Sequence, residues 1–202
     1  DSNIHLWAVN AAMLIDSSGA VQWAKKLPQS SISSVAGDVT HGSVYSGTTF
    51  TPTWTMPAHK RSISGTLEWQ KNLAFTGDNV LGGNTIQMDS SGNSYLSFVA
   101  GNRAGFAKFD TNGNFQFARG VQQIGGAVAQ PGLTIDSSGN IYTTGATNGT
   151  SGSYRMMVQK WNSSGTMQWE QRFGDGSSQL QGNDVAVDSN GNVFVVGNTY
   201  YS

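Results

Sequence analysis

Groups able to bind a metal or move a proton are few in this chain, and their spacing does not suit either task. His5, His41 and His59 lie in unrelated contexts, with no His-x-x-x-His pair to bring two imidazoles together. Glu68 and Glu170 are the only glutamates, each inside or beside a hairpin pattern, so no carboxylate pair for acid–base work is visible. Without cysteine there is no thiolate nucleophile, Cys-based zinc site or disulfide framework. A Gly-x-Ser-x-Gly elbow and a phosphate-binding loop are also missing.

The aspartates recur in turns: Asp89, Asp136 and Asp188 in one hairpin, Asp16 and Asp110 in the other. Oxygen-rich loops attract calcium, but a calcium loop supplies several carboxylates at alternate positions and each of these turns has one. Asp followed by two small polar residues and Gly suits a tight turn, in which the carboxylate accepts backbone N–H groups and Gly takes positive φ. No metal and no cofactor are expected. What remains is a set of rings that could meet a ligand: Trp54, His59, Tyr154, Tyr200 and Tyr201. Aromatic faces with Asn, Gln and Ser nearby suit sugars, and they suit protein surfaces equally. Thr51 to His59 contains Pro52, Trp54 and Pro57, and is expected to be an exposed, variable loop.

Composition narrows the setting. Only 11% of the 202 residues are charged and the net charge is -1, with Lys and Arg scattered, so a nucleic-acid footprint is absent. No apolar run approaches the ~20 residues that cross a bilayer as a helix, so no membrane insertion is expected. A surface rich in Ser, Thr, Asn and Gly with little charge suggests an extracellular or virion-surface location. The chain starts at Asp1 without Met or a signal-like stretch and reads as an excised piece.

The elements that would position these residues come from a fourfold repeat. A first turn glycine falls at Gly19, Gly65, Gly113 and Gly165, and a second at Gly42, Gly92, Gly139 and Gly191. Four residues after the first stands a large ring: Trp23, Trp69, Phe117 and Trp169. Three residues after the second stands another: Tyr45, Tyr95, Tyr142 and Phe194. Strand-like segments flank each turn, and no stretch keeps a helical period. Four short antiparallel strands in about 50 residues match a propeller blade. The fold expected is all-β, a single β-propeller domain over residues 1–202 with repeats of approximately 1–50, 51–100, 101–149 and 150–202. The blades form either a closed four-bladed disc, with Asp1 near Ser202, or part of a larger ring. The repeated rings are expected to fill equivalent wedges between blades.

Asp16-Ser17-Ser18-Gly19-Ala20-Val21-Gln22-Trp23 resembles the docking motif of quinoprotein-like propellers. Together with Ile135-Asp136-Ser137-Ser138-Gly139-Asn140-Ile141-Tyr142-Thr143-Thr144-Gly145, it is more similar to the bacterial β-propeller repeat called SBBP. The resemblance implies a blade scaffold of secreted bacterial or phage tail and fibre proteins, and supplies no catalytic residue. The function expected is a non-enzymatic structural or adhesive module that contacts a surface glycan or other protein subunits. The alternatives are an enzyme on a quinoprotein-like or lyase-type propeller and a pure assembly scaffold.

Overall fold

The structure, a computed structural model, describes residues 11–27, 32–51, 53–75, 78–101, 103–122, 132–148, 154–174 and 179–200. All regular structure among them is β. Three antiparallel sheets have four strands in simple up-and-down order. The first joins β3 (Ile32–Asp38), β4 (Gly42–Gly47), β6 (Thr53–Arg61) and β7 (Leu67–Leu73), with the short β5 (Thr49–Thr51) added to β6. The second joins β8 (Val80–Met88), β9 (Ser94–Ala100), β10 (Arg103–Phe109) and β11 (Phe115–Gln122). The third joins β12 (Gly132–Ile135), β13 (Ile141–Asn148), β14 (Tyr154–Trp161) and β15 (Met167–Phe173). Two hairpins stand outside these sheets: β1 (Ala11–Ile15) with β2 (Val21–Lys26), and β16 (Gln179–Val187) with β17 (Val193–Tyr200).

The sheets stack face to face, which is why their strands are apolar on both sides. Every residue of β9 is buried. Val44, Met56, Ile86, Leu96 and Phe98 form the core between the first and second sheets. Tyr95, Phe106, Leu133, Ile141 and Trp161 form the core between the second and third. β16 packs against the third sheet. The four-stranded sheets agree with propeller-like blades. Among the described residues β17 is not paired to β1, and no closed ring is formed. Asp1 and Ser202, whose proximity closure would require, lie outside the described residues.

Three expectations change. The repeats are out of frame with the sheets by half a unit: β14 and β15, which open the fourth sequence repeat, complete a sheet begun by β12 and β13. The two hairpin turns look alike in sequence, and only packing decides which connection stays within a sheet and which crosses to the next. Thr53–Arg61 is a nine-residue strand, not an exposed loop, with Met56, Ala58 and His59 buried. Pro57 stands opposite Asn72 of β7, but the ladder with β4 ends at Ala58 and does not reach it, so on that side no partner strand needs the N–H that proline lacks.

The third change concerns Tyr45. Strand pairing sets Val44 opposite Lys60, as Tyr95 stands opposite Lys108 and Tyr142 opposite Lys160. Val44 therefore holds the position of the other rings, and Tyr45 points to the opposite face, against Ala12 and Leu27. In the β3–β4 hairpin Asp38 is still paired, to Gly42, whereas Asp89 lies in the loop beyond the last pair, Met88 with Ser94. Side chains alternate with a period of two, so a one-residue change at the turn reverses the face.

Candidate functional site

The turns between first and second strands and between third and fourth strands lie at one end of the sheets, and aspartates build most of them, with Ser62 and Asn162 in that place in the β6–β7 and β14–β15 turns. The Asp89 carboxylate accepts bonds from Ser91 N (3.0 Å), Asn93 N (2.9 Å), Asn93 Nδ2 (2.9 Å) and the Tyr95 hydroxyl (3.0 Å). Asp136 repeats this with Ser138, Asn140 and Tyr142, while Asp110 and Asp188 cap their turns through two backbone amides and an Asn side chain. Burial pushes the Asp89 carboxyl up, but the bonds from Asn93, Tyr95 and Ser91 outweigh it and hold its pKa below the ordinary value. These oxygens are engaged inside their own turns, and among the described residues no group of three His, Asp or Glu side chains is placed to hold a metal ion.

The repeated rings dock on the turn of the next unit. A Cβ at Gly65 would lie 2.8 Å from the Trp23 ring, one at Gly113 2.7 Å from Trp69, and one at Gly165 2.8 Å from Phe117. The Trp23 indole donates to the Ile63 carbonyl at 2.9 Å and the Trp69 indole to the Thr111 carbonyl at 3.1 Å, each two residues before the glycine it covers. Phe117 has no such donor. Arg119 takes its place, with Nε donating to the Gly165 carbonyl at 2.7 Å and the guanidinium stacked 4.7 Å from the Phe117 centroid. The buried Lys60 ammonium donates to the same Thr111 carbonyl at 2.9 Å and pairs with Glu68 at 3.2 Å. The turn end is therefore occupied by the contacts that hold neighbouring units together.

The opposite end carries the connections between second and third strands. Trp54 stands near the start of β6, Tyr154 opens β14 and Tyr200 closes β17, so backbone register puts all three there. Tyr201 lies outside the described residues, as does His5. An open cleft of ≈ 380 Å³ between the second sheet and the segment before it occupies this end, lined by Phe75, Asp78, Phe98, Arg103 and Arg119. The Phe75 and Phe98 rings lie 5.0 Å apart at 41°. Gly101 (φ 55) lets the chain pass close to Asp78: a Cβ there would lie 2.5 Å from the carboxylate oxygen. Aromatic surface beside the Asp78 carboxylate and the Arg103 guanidinium can hold a small polar ligand by stacking and by hydrogen bonds. Sequence reasoning passed over Phe75, Asp78 and Arg103. The signal was Phe98, which stands where the other repeats place Gly145 and Gly197.

His59 does not join this cleft. It is fully buried, and neither ring nitrogen has a partner. His41 pairs with Asp38 at 2.9 Å and lies over Gly92. Burial, then the Arg61 charge, holds the His59 pKa below its ordinary value. The folded chain thus resists a proton that the unfolded chain accepts, so stability is complete above about pH 6.5 and falls as the pH drops below it. A His59→Leu chain is expected to lose this slope. Urea midpoints at pH 7.5 and 5.5 that change equally in parent and variant would contradict it.

Residues 168–200 match the SBBP beta-propeller repeat, a segment running from β15 to the end of β17. Over these residues the chain is similar to the SBBP repeat. The matched segment begins on the last strand of one sheet and ends on the second strand of the next unit, so the SBBP frame also straddles a sheet boundary. Its turn is Asp188-Ser189-Asn190-Gly191-Asn192, and the same carboxylate-capped geometry recurs at Asp89 and Asp136. No curated protein matches the chain.

Proposed function

We propose that this chain is a non-enzymatic structural and adhesive β-propeller module, of the kind used in phage tail or fibre proteins or on bacterial surfaces. It works at the extracellular or virion surface and contacts a glycan through the end of the sheets opposite the turns. The observation that carries this reading is the cleft of Phe75, Asp78, Phe98 and Arg103 at that end. Ring faces suit the apolar face of a sugar, while a carboxylate and a guanidinium suit its hydroxyls. The engagement of the turn carboxylates in their own loops supports the non-enzymatic side.

Screening the chain on a glycan array and titrating the hits by NMR tests the proposal. The expected result is a saccharide whose affinity falls at least about tenfold in Asp78→Asn and in Arg103→Ala, with the thermal midpoint unchanged. Tyr154→Ala reports whether the ring at the start of β14 extends the same surface. No saccharide bound, or binding untouched by both cleft variants, would overturn the glycan reading. The assembly reading is favoured by a separate observation, the unpaired outer edges and exposed apolar side chains of the hairpins β1–β2 and β16–β17 among the described residues.

A further inference from the structure

The two hairpins outside the sheets are complementary halves of one sheet. In the second and third sheets the first two strands pair with the last two through the middle pair, as β13 does with β14. β16–β17 is a first half: Phe194 pairs with Ala186 as Tyr142 pairs with Thr134. β1–β2 is a second half: Ile15 faces Val21 across a register shift, as Trp161 faces Met167. Among the described residues the outer edges of β17 and β1 have no strand partner.

Three sets of unmade contacts point the same way. Phe194 is 59% exposed, whereas Val44, Tyr95 and Tyr142 at the same position are 1% exposed or less. Val35 is 57% exposed, whereas its counterparts Ile86, Leu133 and Val185 are at most 5% exposed. In the cores already formed, these two positions meet: Val44 lies with Ile86, and Tyr95 with Leu133. Trp23, Trp69 and Phe117 cover the next turn glycine, but nothing lies within 4 Å of a Cβ built at Gly19, the glycine that Trp169 would cover. Met13 and Ile15 on β1 are exposed, while Gln159 and Trp161 at the same places on β14 are buried. An apolar cleft of ≈ 310 Å³ lined by Met13, Val35, Val39 and Ile63 lies where a first half would sit.

The geometry points to a second copy of this chain as the occupant: β16–β17 of one copy pairs along β1 of the next, head to tail. Among the described residues of one chain the two halves belong to separate sheets, and each lacks what the other offers. One docking step supplies the missing ladder, sets Phe194 against Val35 and brings Trp169 over Gly19. The mated surfaces are the tail of one copy and the head of another, so two copies can close on each other through two identical contacts. Hiding two open edges that carry exposed apolar side chains is the driving force.

Light scattering of the full chain across a concentration series is expected to give twice the mass of one chain or a multiple of it. Phe194→Asp is expected to weaken the association at least about tenfold. Phe194 is exposed, so the circular dichroism of that variant should match the parent. By the pairing of Thr143 with Gln159, Val195 should lie opposite Met13. The chain has no cysteine of its own, so a Val195→Cys chain mixed with a Met13→Cys chain should form a disulfide between copies under mild oxidation. A monomer at every concentration with no disulfide between copies overturns the proposal. So does a double variant that closes only on itself, since the chain would then be its own partner.

Discussion

A Trp69→Ala chain is expected to be about 3–5 kcal/mol less stable than the parent, one of the two largest losses predicted for a single residue here. Trp69 is buried, stacks on Phe109 with centroids 6.2 Å apart, and covers the Gly113 turn of the next sheet. Its removal opens a cavity between two sheets. The Thr111 carbonyl keeps the Lys60 ammonium as a donor, so the loss is one of packing more than of a hydrogen bond. Trp169 stands at the same repeat position, yet it covers no turn and meets Tyr142 only edge-on at 6.3 Å. Trp169→Ala is therefore expected to cost roughly 1 kcal/mol. Urea unfolding of both variants in the Phe194→Asp background separates this from association. Equal losses would show that turn docking is not what stabilises these units.

The second large effect is at the glycine beneath that ring. Gly113 has φ 78 and Gly19 has φ 87, so an alanine at either meets a similar backbone penalty of about 1–2 kcal/mol. At Gly113 the new methyl would also lie 2.7 Å from Trp69, whereas at Gly19 it would meet nothing within 4 Å. Gly113→Ala should thus cost roughly 3 kcal/mol or more and, in the Phe194→Asp background that keeps copies apart, Gly19→Ala only the backbone part. The difference between the two midpoints measures how tightly a ring is clamped on its turn. A Gly19→Ala loss as large as that of Gly113→Ala would mean that Gly19 is covered too, by a contact the single chain does not make.

The turns were legible in the residues because everything they need is local. Asp136 and Asn140 stand four positions apart, and the carboxylate, the two amides and the positive-φ glycine close the loop without help from elsewhere. The recurrence of that loop, with a ring a few residues on, was enough to establish a repeated all-β scaffold.

The cleft was legible only in part. Phe98 broke the repeat visibly, but Phe75, Asp78 and Arg103 stand in connections and at a strand start, and no periodicity marks them as neighbours. Trp54 and Tyr154 were picked out for their chemistry, and register places them at the cleft end. His59, chosen with them, is buried in a strand.

By itself, then, the sequence determined the carboxylate-capped turns and the strand-rich repeat, because these follow from hydrogen bonds and spacings a few residues long. Tertiary structure alone decided that Val44 rather than Tyr45 faces the second sheet, that Pro57 lies within a strand, and that sheets begin half a repeat away from the sequence frame. The reason is physical: which face a side chain takes, and which hairpins join, depends on pairing and packing between segments far apart in the chain. A one-residue difference at a turn is enough to reverse the outcome.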